Sequence, residues 1–328
     1  MTRILFLISL MLCNGLVAQG PYAPPAGQED SDAIHKDSEL FVAWAIGIEV
    51  VRGFINAEDT IFTINESNRA SFGEPEDALG QASGVTTSVV SLGDGGSATL
   101  TFSQPIMNGE GPDFAIFENA VTPDFLELAH VEVSSNGEDF VRFPSHSLTP
   151  VTQQTGAFGS TDATNIHNLA GKHIVGYGTP FDLEELKDHP NLDVNNVTHV
   201  RIIDVVGSIG ELGTEDSFGN KINDPFPTPF ESSGFDLDAV GVVHQKPLNT
   251  KNELLAEIKV FPNPSAGILN IRGVKEPMQM EVVNSLGGII HQTELSSDVT
   301  FNFDFPKGIY ILVFTSDASR TIVKWMKE

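Results

Sequence analysis

The chain has 328 residues, with 44 Asp and Glu against 18 Lys and Arg, a formal net charge of −26. A surface this acidic repels phosphate backbones and anionic lipid, which sets aside nucleic acid and bare membrane as partners. The single cysteine, Cys13, rules out a disulfide within the chain, so an exported form must be held by its core, by bound ions, or by both.

At the start of the chain, Arg3 supplies a short positive region and Ile4 to Leu12 an apolar run too short to span a bilayer. Leu16-Val17-Ala18 before Gln19 has the small-residue form of a cleavage site, which predicts a signal peptide over 1–18. A membrane anchor and a lipoprotein are the alternatives. Lipidation at Cys13 would need a small residue where Leu12 stands. No later stretch is apolar for long enough to be a transmembrane segment.

Residues 19–38 are rich in Pro, Gly, Ala and acid and predict an extended lead-in. The body is expected over 39–243, and 244–257, with Pro247-Leu248-Asn249-Thr250, as a linker to a last domain over 258–328. Without the signal and last domain, about 240 residues remain, enough for one large β domain. In Ser97 to Phe102, Ala98, Leu100 and Phe102 alternate with Ser97, Thr99 and Thr101, the period of a half-buried strand. Phe114-Ala115-Ile116-Phe117 is apolar on both faces, as a covered strand would be. Ala129, Val131 and Val133 alternate with His130, Glu132 and Ser134. Asn136-Gly137 then predicts a hairpin, with Phe140 to Phe143 as the return strand. Further strands are expected over 200–206 and 235–243, and a short helix over 181–188. Many strands with Gly- and Pro-rich connections predict an all-β protein: a jelly-roll-like β-sandwich body followed by a small β-sandwich.

Two resemblances rest on particular residues. Phe261-Pro262-Asn263-Pro264-Ser265, Asn284-Ser285-Leu286-Gly287-Gly288, Phe305-Pro306-Lys307-Gly308-Ile309-Tyr310 and the closing Ile322 to Glu328 resemble the type A C-terminal sorting domain of the Bacteroidetes type IX secretion system. That resemblance implies contact with the secretion machinery, export, and a secreted or cell-surface location. Val131 to Phe140 and Thr198 to Asp204 are similar to strands of discoidin-like, galactose-binding-like jelly rolls. Gly111 to Ala120, Asn168 to His173, Gly176 to Asp182 and Gly234 to Val240 also resemble a family of bacterial cell-surface proteins to which no activity is attached.

Candidate chemistry lies in the carboxylates. Asp236 and Asp238, two apart in a strand, point the same way with Cα atoms roughly 6.5–7 Å apart, and such a pair repels unless a cation, water or base intervenes. Glu118 and Asn119 end another strand, and Asp216, Asn220, Asn223 and Asp224 crowd one loop. Hard oxygen donors suit calcium, so Asp236, Asp238, Glu118, Asp216 and Asp224 form the expected Ca2+ set, against the alternative that they cap turns and face solvent. His167 and His173 lie six apart without HExxH spacing, a weak transition-metal signal. No GK[ST] loop or GxSxG elbow is found. Phe226, Phe230 and Tyr177 are the loop aromatics available to a sugar face, against the alternative that they pack beneath the loops. These features predict a surface-displayed, non-enzymatic binder of an extracellular ligand such as a glycan. The alternatives are a capture protein that passes a nutrient such as cobalamin to a TonB-dependent transporter, and a glycoside hydrolase using loop carboxylates.

Overall fold

The computed structural model describes residues 20–247, 258–275, 277–316 and 319–328. The expected signal peptide, with Cys13, and residues 248–257 of the expected linker lie outside them. The chain divides into two compact units, one ending at Lys246 and the other beginning at Pro247.

The first unit is a sandwich of two antiparallel sheets. One runs in the order Ile34–His35, Tyr177–Phe181, Phe114–Glu118, Asp236–Val242, Ala43–Trp44, with Val90–Ser91 also paired to Asp236–Val242. The other runs Gly47–Val51, Ser97–Ile106, Val197–Asp204, Ala129–Ser134, Val141–Arg142. Alternation does the folding here. Ala98 and Leu100 turn into the core while Ser97, Thr99 and Thr101 turn away. They join Val131, Val200 and Ile202 of their own sheet and Phe114, Ile116, Leu237 and Val240 of the other in one apolar cluster. Each of the larger side chains contributes about 1.5–3 kcal/mol on leaving water. Phe181 stacks on Phe114 at 5.4 Å and meets Phe143 edge-on at 5.1 Å. A smaller apolar cluster of Leu126, Leu128, Ile166, Leu169, Val205 and Ile222 underlies the loops.

Several expectations are corrected. The strand Ala129–Ser134 is buried on both faces, not one. Its outer Glu132 is covered by Arg142, at 2.8 Å, and by Arg201, whose guanidinium lies 3.7 Å from the centre of the Phe140 ring. The turn at Asn136-Gly137 is wider than a two-residue hairpin, because the flanking pair is Val133 with Val141. There the Asn136 side chain accepts from the Glu138 and Asp139 amides, both at 2.9 Å. The helix expected over 181–188 is one 3-10 turn, Leu183–Leu186. Phe181 is still paired in the sheet with Phe114, and His189 precedes a proline, which disfavours the helical region for it. The lead-in is anchored: Ile34 and His35 pair with Gly178 and Tyr177, and the Tyr22 amide donates to the Thr164 carbonyl at 2.9 Å. Residues 244–246 belong to the first unit, with the His244 imidazole 2.8 Å from Asp113 and the Lys246 amide bonded to the Pro105 carbonyl.

The second unit packs a three-stranded sheet (Lys259–Phe261, Ile268–Arg272, Val299–Asn302) with a four-stranded one (Ile289–Leu295, Met278–Val283, Gly308–Ser316, Ser319–Lys327). Trp325 is fully buried beside Phe303, Phe305 and Tyr310, and its indole N–H donates to Ser265 Oγ at 3.0 Å. Asn263 acts as a short strand, donating to the Lys324 carbonyl and accepting from the Met326 amide. Asn284 closes its turn by accepting from the Leu286 and Gly288 amides, with Gly287 at φ +83°. The sequence motifs of this unit are therefore the positions where side chains replace backbone pairing.

Candidate functional site

The five residues of the expected calcium set do not form one shell. Among the described residues, no three His, Cys, Asp or Glu side chains converge closely enough to hold a metal ion. Asp238 accepts from the Ser83 and Gly84 amides at 2.9 and 3.0 Å. Asp216 accepts from the amides of Ser147, Phe218 and Asn220 and from the Asn220 side chain. Burial opposes its ionisation, but these bonds outweigh burial and hold its pKa below the ordinary value. Asp224 takes the Leu128 amide on one oxygen, while the other is buried with no partner. Gly207 sits against that bare oxygen so closely that a Cβ would lie 1.7 Å from it.

Glu118 and Asp236 are brought together. Asp236 accepts from Ser91 Oγ and, at 2.9 Å, from Asn119 Nδ2. Glu118 is 1% exposed. One of its carboxylate oxygens accepts from the Ala120 amide at 2.7 Å, and the other has no partner. Burial, then the charge of Asp236, pushes the Glu118 pKa well up, and burial pushes Asp236 to about 6. Three carboxylates missed in the sequence share this interior. Glu127 is pushed well up by burial and by the charges of Asp236, Glu118, Asp224 and Asp204. Asp204 accepts from the Gly95 and Phe235 amides, and Asp94 from the Ala57 amide. Burial raises both, Asp94 to about 6. Most of these acids clasp loop backbone, which the sequence could not reveal.

An open cavity of about 350 Å³ lies elsewhere on the same unit, among Asp32, His167, Asn168, Lys172, Asp182 and Glu185, with Phe181 in its wall. Its parts come from the lead-in, the two-residue strand Ile166–His167, the edge of Tyr177–Phe181 and the 3-10 turn. Lys172 is 3% exposed, with its ammonium 3.5 Å from Asp32, which also bonds His173 Nε2 at 2.8 Å. Burial lowers the Lys172 pKa despite that partner. Burial also opposes ionisation of Asp32, but His173 and Lys172 together pull it below its ordinary value. Asn168, held at φ +51°, donates to Glu185 at 2.6 Å, and burial raises Glu185. The Tyr22 ring stacks on His167 at 4.8 Å and its hydroxyl bonds His146 Nδ1 at 2.5 Å. The pair His167 and His173 therefore serves two different partners rather than one metal. Gly171 lets this segment pass: at φ +88° its Cβ would stand 1.9 Å from the Glu127 carbonyl.

Of the aromatics expected in loops, Phe226 is buried, Tyr177 lies instead in the strand Tyr177–Phe181 and packs edge-on against His35, and Phe230 is 39% exposed.

Residues 259–328 match the secretion system C-terminal sorting domain. The protein is accordingly a secreted or cell-surface protein, a type IX secretion substrate whose last unit is the sorting domain. No helix among the described residues is long and apolar enough to cross a membrane. No curated protein matches the chain. Among solved structures, PorZ of Porphyromonas gingivalis, a surface component of the type IX secretion system, is 14% identical at a TM-score of 0.22, covering 28% of this chain and 14% of its own. Two structures of Ruminococcus gnavus β-glucuronidase, with D-glucaro 1,5-lactone and with uronic isofagomine, are 10% and 11% identical at a TM-score of 0.18. They cover 72% of this chain and 36% and 35% of theirs. This chain thus spans little more than a third of the glucuronidase and about a seventh of PorZ, and similarities this slight carry no argument.

Proposed function

We propose that the first unit is a binding module, displayed by the sorting unit, that takes a polyhydroxylated extracellular ligand such as a glycan unit in the Asp32–Lys172–Glu185 cavity, without turnover. The observation that carries this reading is the convergence of a buried ammonium, that of Lys172, with the more exposed carboxylates of Asp32, Asp182 and Glu185 on one open cavity. Concave sites with a few placed polar groups and shifted pKa values are where ligands bind. Glu185 and Asp182 accept from hydroxyls, Asn168 donates, and the Lys172 ammonium has donors to spare beyond Asp32. Burial and Asp32 hold Lys172, and His173 holds Asp32, so the site is ordered before a ligand arrives.

The test is calorimetric titration of the full chain with a panel of soluble oligosaccharides. Glu185→Gln should weaken the bound member at least tenfold while shifting the melting temperature by less than 2 °C. Product accumulating in proportion to protein would overturn the non-enzymatic reading. Binding that Glu185→Gln and Asn168→Ala both leave unchanged would remove the site from this cavity.

Calcium is proposed as a second, structural ligand, seated by Glu118 and Asp236. The bare, buried carboxylate oxygen of Glu118 supports this reading. Beside the Glu118 and Asp236 carboxylates, backbone carbonyls and water would complete the six to eight oxygens that calcium takes.

A further inference from the structure

A second cleft, of about 490 Å³, is lined by Ile64, Phe72, Phe158, Phe230, Glu231 and Ser232. Phe158 is 81% exposed. Its ring centre lies 5.6 Å from that of Phe230, with the planes tilted by 33°. Two large rings left open to water at loop tips forgo burial that a folded chain normally takes.

The cleft is built by specific bonds. The Ser71 and Phe72 amides both donate to the Glu231 carbonyl, at 2.9 and 3.1 Å, fixing Phe72 beside the Phe230 loop. The Phe226 amide donates to the Thr155 carbonyl at 3.0 Å, joining that loop to the one that carries Phe158. Phe158 sits in a turn closed by the Gly159 amide on the Gly156 carbonyl at 2.7 Å. On the rim, Ile64 and Ser67 exchange backbone bonds around Asn65 and Glu66, which stand at φ +49° and +67°. Such a turn prefers glycine at its second central position, and Glu66 occupies it at a cost in strain. What the turn achieves is to aim Asn65 Nδ2 at Glu231 Oε1, 2.7 Å away. An apolar floor thus carries a paired amide and carboxylate at its edge.

We infer that this cleft is a second ligand site, which takes the apolar C–H face of a pyranose ring against Phe158 and Phe230 and reads its hydroxyls with Glu231 and Asn65. Aromatic rings contribute rigid contact at low entropic cost, and the carboxylate retains acceptor sites beyond the one that Asn65 fills. A lipid tail would leave Glu231 and Asn65 unused, and a copy of the same acidic chain would be repelled by a body of like charge. The inference does not depend on the Asp32–Lys172–Glu185 cavity.

The experiment is affinity electrophoresis and calorimetry of the full chain with cellohexaose, xylohexaose, mannohexaose, laminarihexaose and maltohexaose. Phe158 is exposed, so Phe158→Ala should leave the melting temperature within 2 °C of wild type. Phe158→Ala and Phe230→Ala should each weaken the bound saccharide at least tenfold, Phe158→Tyr should retain most of the affinity, and Glu231→Gln should cost several-fold. Glu185→Gln, which tests the other cavity, should leave this contribution intact. Binding to none of the five sugars, or binding indifferent to both Phe variants, would overturn the inference. So would a concentration-dependent dimer that Phe158→Ala abolishes, since it would show the cleft to be covered by a second copy.

Discussion

The two units solve the same problem with opposite interiors. In the sorting unit, Ser265 is the one buried polar side chain among the described residues, and it satisfies the indole of Trp325. In the body, the interior also holds Glu118, Glu127, Asp94, Asp204, Asp224 and Asp236. Hydrocarbon packing needs only the right pattern. Buried carboxylates need partners, and a carboxylate bonded to a distant amide fixes a loop as no apolar contact can. The small unit is thus a simple, portable sandwich, whereas the body uses charge to hold long irregular loops, and those loops carry both clefts. Stability in the first should depend on volume, and in the second on proton and ion activity.

The largest expected effect is on location. Deleting 258–328 should leave the body folded but off the cell surface, as read by surface proteolysis and fractionation of the native host. Normal display of the truncated chain would dissolve the division of labour. Next, Trp325→Ala should remove about 3–5 kcal/mol from the sorting unit by cavity formation, enough to unfold so small a sandwich, while ligand binding by the body is unchanged. Loss of binding in that variant would mean that the interiors are not independent.

Sharper still is pH. Burial raises Asp94 from 3.8 to about 6, so the folded state holds its proton where the unfolded state has released it. That group's contribution is full below 3.8 and is lost as pH rises to about 6. By then the shift has cost about 3 kcal/mol. Glu118, Glu127, Asp204 and Asp224, raised further, continue the same trend upward. His130 and His167 oppose them: burial and Arg142 depress His130 to about 4, and burial and Lys172 lower His167, so both cost stability as pH falls below 6.5. With two histidines against several acids, the body's melting temperature in chelator should rise as pH is lowered from 8 to 5. Asp94→Asn should flatten the part of that rise below pH 6. The sorting unit's melt should not follow. A flat body profile would mean that the acids remain ionised beside a counter-ion.

This difference also explains what could be read from the sequence. The strands with period two, such as Ser97–Ile106, and the covered strand Phe114–Glu118 were visible because one face or both declare themselves in consecutive residues. The sorting motifs were legible through their resemblance to a known domain: Asn284 acts within its own turn, whereas Asn263 and Ser265 bond partners 60 or more residues away. Two-residue strands such as Ile34–His35 and His146–Ser147 carry no period to read. The roles of the acids were hidden for a different reason. Asp224 bonds an amide 96 residues away, Asp236 a serine 145 away, and His173 an aspartate 141 away. The Asp32–Lys172 cavity is assembled across similar separations, so Asp32, Lys172 and Glu185 had no local signature. Only Phe230, among the loop aromatics, stood where a ligand could reach it, and its partner Phe158 had no signal beyond lying between glycines.

The smallest expected effect, and the one that decides how the body tolerates its acids, is that of calcium. Two carboxylates as close as Glu118 and Asp236 can share a space by keeping a proton or by admitting a cation. A ligand that binds only the folded state adds RT ln(1 + [L]/Kd), about 2.7 kcal/mol at a hundredfold excess over Kd. At roughly 2–4 °C per kcal/mol for a domain of this size, the melt should move by about 5–10 °C between calcium and chelator. Protons compete for the same oxygens, so the shift should be larger at pH 8 than at pH 5. Glu118→Gln with Asp236→Asn should abolish it and should also lift the melting temperature in chelator, because the repulsion between the pair is gone. Identical melts with and without calcium at pH 8 would leave the proton as the only partner of these acids. A shift that survives the double substitution would move the ion to another oxygen-rich loop, with the bare oxygen of Asp224 the next to test.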